Sequence, residues 1–177
     1  MSRVAVAAAL LALLALLALL ALLASCEGRP SEPAGIGRWR FNHIKLSQVK
    51  EGKCQPTDLS DGRKATWCFA QPPYKIGKRV AEVNAYFLGT APDSKLIEVQ
   101  LSVRGCVEAE LEEFLRQSYG PPVEVKGNRA YWKNSFIWIA AIMPSDVGRC
   151  LVHMLPVTEN AEIARIKAAG DLPPPAP

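Results

Sequence analysis

Five cysteines and two histidines are the residues of this chain best suited to forming bonds with metals or substrates. Cys150 and His153 stand in a Cys-x-x-His spacing. A zinc site needs three or four convergent ligands, usually supplied as two close pairs, and the chain holds one such pair. On a strand, positions 150 and 153 also point to opposite faces. Haem attachment of the c type needs Cys-x-x-Cys-His, which is absent. A thiolate activated by His43 or His153 would need a free cysteine beside the base. Glu108, Glu110, Glu112 and Glu113 are the densest carboxylates, but at helical spacing they make a solvated face. No phosphate-cradling glycine loop, Gly-x-Ser-x-Gly or His-Glu-x-x-His is present. The expectation is no metal, no cofactor and no catalysis.

Two segments carry side chains suited to contact instead. Tyr74, Lys75, Lys78 and Arg79 form a basic aromatic stretch after two prolines. Tyr131, Trp132, Phe136 and Trp138 crowd one hairpin. Exposed, that hairpin could stack on sugars or a partner; buried, it supplies cross-strand core pairs. The adjoining run to Met143 is apolar at every position, which favours the core. Tyr74, Lys75, Lys78, Tyr131 and Trp132 are therefore the candidate contact residues.

The chain opens with Arg3, an Ala/Leu/Val run from Val4 to Leu23, and Leu23-Ala24-Ser25-Cys26. This start is similar to the signal segments of bacterial lipoproteins, over the first 26 residues only. The resemblance implies a diacylglycerol thioether on Cys26, cleavage before it, and often a third acyl chain on the new amino group. Two or more chains anchor durably, at about 0.8 kcal/mol per buried methylene. The competing reading is an uncleaved span, since about 20 apolar residues can cross a bilayer. Glu27 in place of the aspartate that retains such proteins at the inner membrane implies the outer membrane, facing the periplasm. By the same resemblance the protein meets the membrane through its covalent lipid.

Removing residues 1–25 from the 177-residue chain leaves 152, one domain with room for a core. The formal net charge of +4 falls to +3 with Arg3 gone. A mild, mixed positive charge in an exported protein argues against nucleic acid and leaves weak attraction to anionic lipid or cell-wall polymer. Cys54, Cys68, Cys106 and Cys150 remain after the lipidated cysteine, an even count that reads as two disulfides with three pairings open. The preferred pairing is Cys54–Cys68 with Cys106–Cys150.

Residues 26–38 read as the lipidated cysteine and a flexible tether, 39–170 as one globular domain, and 171–177 as a Pro-rich disordered tail. Strands are expected around Trp39, over Ala65–Ala70, Arg79–Leu88, Leu96–Arg104, Arg129–Trp132, Ser135–Met143 and Cys150–Leu155, with Gln55–Lys64 as a loop. In Leu96–Arg104, Ile97, Val99, Leu101 and Val103 face one way. The run Phe136–Met143 does not alternate and suits a central strand covered on both sides. Val107, Leu111, Phe114, Leu115 and Tyr119 make one helical stripe, stopped by Gly120-Pro121-Pro122. Glu159–Ala169 is a second, short helix that could cover the other sheet face. The sum is an α+β domain: an antiparallel sheet of about five or six strands, one main amphipathic helix, a short C-terminal helix and two disulfides. The function expected is an anchored binding or scaffolding module that meets an envelope protein or cell-wall polymer. The alternatives are an inhibitor of an envelope enzyme, acting through the loop Gln71–Lys78, or an envelope hydrolase.

Overall fold

The computed structural model describes residues 32–143 and 148–168. The signal segment, Cys26, the start of the tether and the Pro-rich tail lie outside the described residues. No described helix is long and apolar enough to cross a membrane.

The chain is α+β, with two helices and two disulfides, but the main sheet has nine strands rather than five or six. A two-stranded ribbon, β1 (Gly35–Ile36) and β2 (Trp39–Arg40), comes first. The main sheet holds β3 (Lys53–Asp58), β4 (Lys64–Phe69), β5 (Tyr74–Ile76), β6 (Arg79–Leu88), β7 (Leu96–Arg104), β8 (Glu124–Lys126), β9 (Arg129–Lys133), β10 (Ile137–Ile142) and β11 (Arg149–Pro156). Helix α1 (Glu108–Tyr119) follows β7, and α2 (Asn160–Ala168) follows β11. The spatial order is β3-β4-β6-β7-β11-β10-β9-β8, with β5 beside β6, and every pairing is antiparallel.

The undercount has a local cause. β3 is Lys-Cys-Gln-Pro-Thr-Asp, polar and nearly all exposed, and it exists because β4 pairs it residue for residue. β3 is an edge strand, where Pro56 is tolerated. β5 and β8 are three residues each, too short to show a period.

Alternation sets two faces. Ala81, Val83, Ala85 and Phe87 of β6 join Val99, Leu101 and Val103 of β7 and Cys150, Val152 and Met154 of β11 in the main core. Leu111 and Leu115 of α1 pack into it. Glu108 and Glu110 in the first turn of α1 suit its dipole, and Gly120 closes it at φ +83°, a conformation that only glycine adopts freely. A bulge opposite Tyr86/Phe87 breaks the expected alternation of β7: Leu96, not Ile97, enters the main core.

The folded body also begins earlier than Trp39. Ile36 is buried, Asn134 Nδ2 donates to Pro33 O at 2.9 Å, and Tyr119 OH donates to Gly35 O at 2.9 Å. One isoleucine in a polar stretch was enough to dock residues that composition assigns to a tether.

The second face carries a smaller cluster. Tyr131, Ala140 and Leu155 pack under Ile163 and Ile166 of α2, with Trp138 and Ile142 beside them. The strand β10 is thus apolar on both sides because a helix covers each. The apolar side of α2 covers the β9-β10-β11 half of this face; among the described residues no helix packs an apolar side on the β4-β6-β7 half, which α2 reaches only at its edge through Glu162 and Arg165.

Candidate functional site

Because strand side chains alternate, residues opposite one another on paired strands form rows across a face. Two such rows cross the uncovered half of the second face. In the first, Gln55, Trp67, Tyr86 and Glu98 stand opposite one another in turn on β3, β4, β6 and β7. In the second, Asn84, Gln100 and His153 do so on β6, β7 and β11.

The rows are bonded to each other. Trp67 Nε1 donates to Asn84 Oδ1 at 3.1 Å. The Trp67 and Tyr86 rings are 9° from parallel with centroids 6.4 Å apart, and Phe69 lies 4.6 Å from Trp67. Gln100 Nε2 donates to Glu98 Oε1 at 3.0 Å, and His153 Nδ1 lies 2.7 Å from the same oxygen. Glu98 is 7% exposed. Burial, and then the Glu98 charge, push the Tyr86 phenol up to about 12.

The turn between β3 and β4 and the first turns of α2 form a wall beside these rows. Ser60 Oγ donates to Glu162 Oε2 at 3.2 Å. Arg63 donates to both Glu159 oxygens and to Asp61. Those bonds, Glu159 first, raise the Arg63 guanidinium further above its ordinary range. Arg165 donates to Glu162 and holds its carboxyl below the usual range. Between wall and rows lies a pocket of about 150 Å³, lined by Tyr86, Ile97, Glu98, Gln100 and Leu155 on the sheet side. Ile97 reaches it because of the bulge in β7.

Chemically, the contact between His153 Nδ1 and Glu98 Oε1 fixes the orientation of the imidazole ring. Glu98 is the one described residue that hydrogen-bonds His153, so no described nucleophile is engaged by Nε2. Among the described residues, no three His, Cys, Asp or Glu side chains converge as metal ligands.

The residues singled out from the sequence are placed as follows. Cys150 is bonded to Cys106 on the α1 side of β11, and His153 points to the other face. Cys54 is bonded to Cys68 directly across β3–β4, with Cα atoms 4.0 Å apart. Lys75 and Lys78 are exposed at the β5–β6 hairpin, while Tyr74 is half-buried against Phe114. In the segment Gln71–Lys78, Gln71 and Ile76 are buried and Tyr74 half-buried, while Pro72, Pro73, Lys75, Gly77 and Lys78 are exposed. Tyr131 and Trp132 are 2% and 1% exposed, which removes them from the contact set. Tyr131 lies beneath α2, and Trp132 fills the main core with Nε1 donating to Gly120 O at 2.9 Å.

Strand alternation alone puts Glu98 and Gln100 of β7, and Asn84 and Tyr86 of β6, on the face away from the main core, where it predicts contact with water. The signal available was compositional: Trp67, Phe69 and Tyr86 occupy outward strand positions that water alone would not favour. No family model matches the chain, and no curated protein and no solved structure matches it either, so the site is read from its own geometry.

Proposed function

We propose that this chain is a lipid-anchored binding module of the bacterial envelope, without catalysis of its own, that takes its ligand on the uncovered half of the second sheet face. The observation that carries this reading is the pair of cross-strand rows, Gln55-Trp67-Tyr86-Glu98 and Asn84-Gln100-His153. Half-buried aromatic rings beside amides and a buried carboxylate offer both apolar area and directed hydrogen bonds, as ligand sites do. The rows stand on paired strands, and the Cys54–Cys68 bond staples the outermost pair, so the groups are held in place before a ligand arrives.

The anchor rests on Leu23-Ala24-Ser25-Cys26 and its likeness to lipoprotein signals. Glu27 after that cysteine supports, by the same likeness, the outer membrane facing the periplasm, within reach of envelope proteins and cell-wall polymer.

The test is affinity capture of the processed protein from intact envelopes after brief crosslinking. Trp67→Ala/Gln100→Ala and Cys26→Ser forms run beside it. Material held by the parent and released by the double variant is the expected result; equal retention by both refutes the site. Cys26→Ser is expected to accumulate unprocessed and unlipidated, and unchanged processing would refute the anchor.

A further inference from the structure

We infer that the pocket at Glu98 is a subsite for an amine-bearing pyranose, a sugar ring with a free ammonium group in an envelope glycan. This rests on the reading of the uncovered face as a binding surface, and names the chemistry it would take.

The cation is argued from charge. Glu98 is nine-tenths buried and lines the pocket, yet both of its hydrogen bonds fall on Oε1. No described residue hydrogen-bonds Oε2, and no lysine or arginine hydrogen-bonds either oxygen. Four carboxylates, of Asp58, Glu98, Glu159 and Glu162, line the pocket; Lys64 pairs with Asp58, Arg63 with Glu159 and Arg165 with Glu162, which leaves Glu98 without an ion-paired lysine or arginine. Both guanidinium groups are already engaged by carboxylates of the wall. Arg165 feels the Glu98 charge from its pairing with Glu162, and an anionic ligand would meet Glu98 with both guanidinium groups already engaged. An ammonium would meet the Glu98 oxygen that no described residue bonds.

The sugar ring is argued from the surfaces next to that carboxylate. Tyr86 stands directly opposite Glu98, and Trp67 directly opposite Tyr86, with the two rings nearly parallel. Half-buried rings of this kind offer apolar area to the C–H groups of a pyranose, and an aromatic ring attracts a nearby cation. Asn84 Nδ2 and Gln100 Oε1 make no hydrogen bond to the described residues, which leaves one donor and one acceptor for ring hydroxyls. A pocket of about 150 Å³ is smaller than the ~300–1,000 Å³ that holds a drug-sized ligand. It admits one ring, and neighbouring rings of the glycan would lie over Trp67 and Phe69 toward β3.

The experiment is titration of the full processed protein in detergent, read by calorimetry and by tryptophan emission. The probes are a β-1,4-linked glucosamine tetramer, its fully N-acetylated counterpart and a tetramer of galacturonate. The glucosamine tetramer is expected to bind and shift the emission, the N-acetylated form at least ten-fold more weakly, and the acidic form not at all. Glu98→Gln is expected to erase the preference for the amine while leaving the weak N-acetylated binding in place. Glu162→Gln, at the rim, tests the same charge balance if Glu98→Gln does not fold. Equal binding of the amine and acetylated tetramers, or binding of none of the three, overturns the proposal. If envelope material is still captured through Trp67 and Gln100 in that event, the ligand class is wrong and the binding face stands. If capture does not depend on those residues, the binding face itself has failed.

Discussion

Glu98 and His153 are hydrogen-bonded at 2.7 Å across β7 and β11 although they are not opposite one another. The residue facing His153 is Gln100, and Glu98 reaches it along the diagonal. Gln100 closes the triangle by donating to the same Glu98 oxygen. Gln100 and His153 thus share one Glu98 oxygen where two strands of a nine-stranded sheet meet.

Breaking that triangle should cost stability. His153→Ala leaves a nine-tenths buried carboxylate with Gln100 as its one hydrogen-bond partner among the described residues. The expected loss is about 1–3 kcal/mol, the cost of an unsatisfied buried group. Thermal unfolding measures it, and a melting temperature within a degree of the parent would mean that solvent already screens the pair.

Tyr86 makes the alkaline limb of stability steeper. Its folded pKa of about 12 lies above the unfolded value near 10. Burial favours the neutral phenol in the folded state, so its contribution is fully present below pH 10 and is lost as pH rises through 12. Tyr119 shifts in the same direction through burial. Denaturant titrations at stepped pH should show stability falling across this window, less steeply in Tyr86→Phe. Identical slopes in the two proteins would remove Tyr86 as a cause.

The two disulfides should differ in worth. Cys106–Cys150 spans 44 residues and Cys54–Cys68 spans 14. Chain entropy predicts about 4 kcal/mol for the longer loop and about 3 for the shorter. Paired serine substitutions followed by urea unfolding check the order, and a larger loss from the Cys54/Cys68 pair would contradict it.

Arg63 should hold the first turns of α2 against the β3–β4 turn. It donates to both oxygens of Glu159, whose side chain is 14% exposed, while its own is 37% exposed. With that exposure discounted, Arg63→Ala should cost about 0.5–1 kcal/mol. Hydrogen exchange would show it as faster opening of the amides around Ile163 and Ile166, with α1 unchanged. Uniform acceleration in both helices would point to global loss instead.

Trp132 tests the burial of the aromatic hairpin. It is 1% exposed and its indole donates to Gly120 O at 2.9 Å. Trp132→Ala should therefore cost about 3–5 kcal/mol, a core effect. A change under 1 kcal/mol, read by chemical denaturation, would return Trp132 to the surface.

Much of the fold was legible from local chemistry. Arg79–Leu88 and Leu96–Arg104 alternate strictly enough to announce a hairpin, and the stripe through Leu111 and Leu115 announces α1. An even number of cysteines outside the signal segment pointed to two disulfides. β3 was illegible because nothing in Lys-Cys-Gln-Pro-Thr-Asp asks to be buried, and only pairing with β4 makes it a strand. The candidate site was less legible. Tyr131 and Trp132 were chosen as aromatics, yet both are core. Nothing local to β4 or β6 marks Trp67 and Tyr86 as partners, yet they stand opposite one another with nearly parallel rings.

The sequence by itself determined the strongly periodic elements, β6, β7 and α1. Period-two alternation, a helical stripe and a glycine stop are properties of neighbouring residues, and they do not wait for the rest of the chain. Only the tertiary structure decided which segments meet. Glu98 and His153 are 55 residues apart, and no local pattern in either strand names the other as its neighbour. The spatial order that sets β11 beside β7, and a short α2 that covers half a face, are choices of long-range packing. They place a buried carboxylate, an imidazole and a pair of parallel rings at one spot because strand register is set by what the whole sheet can bury.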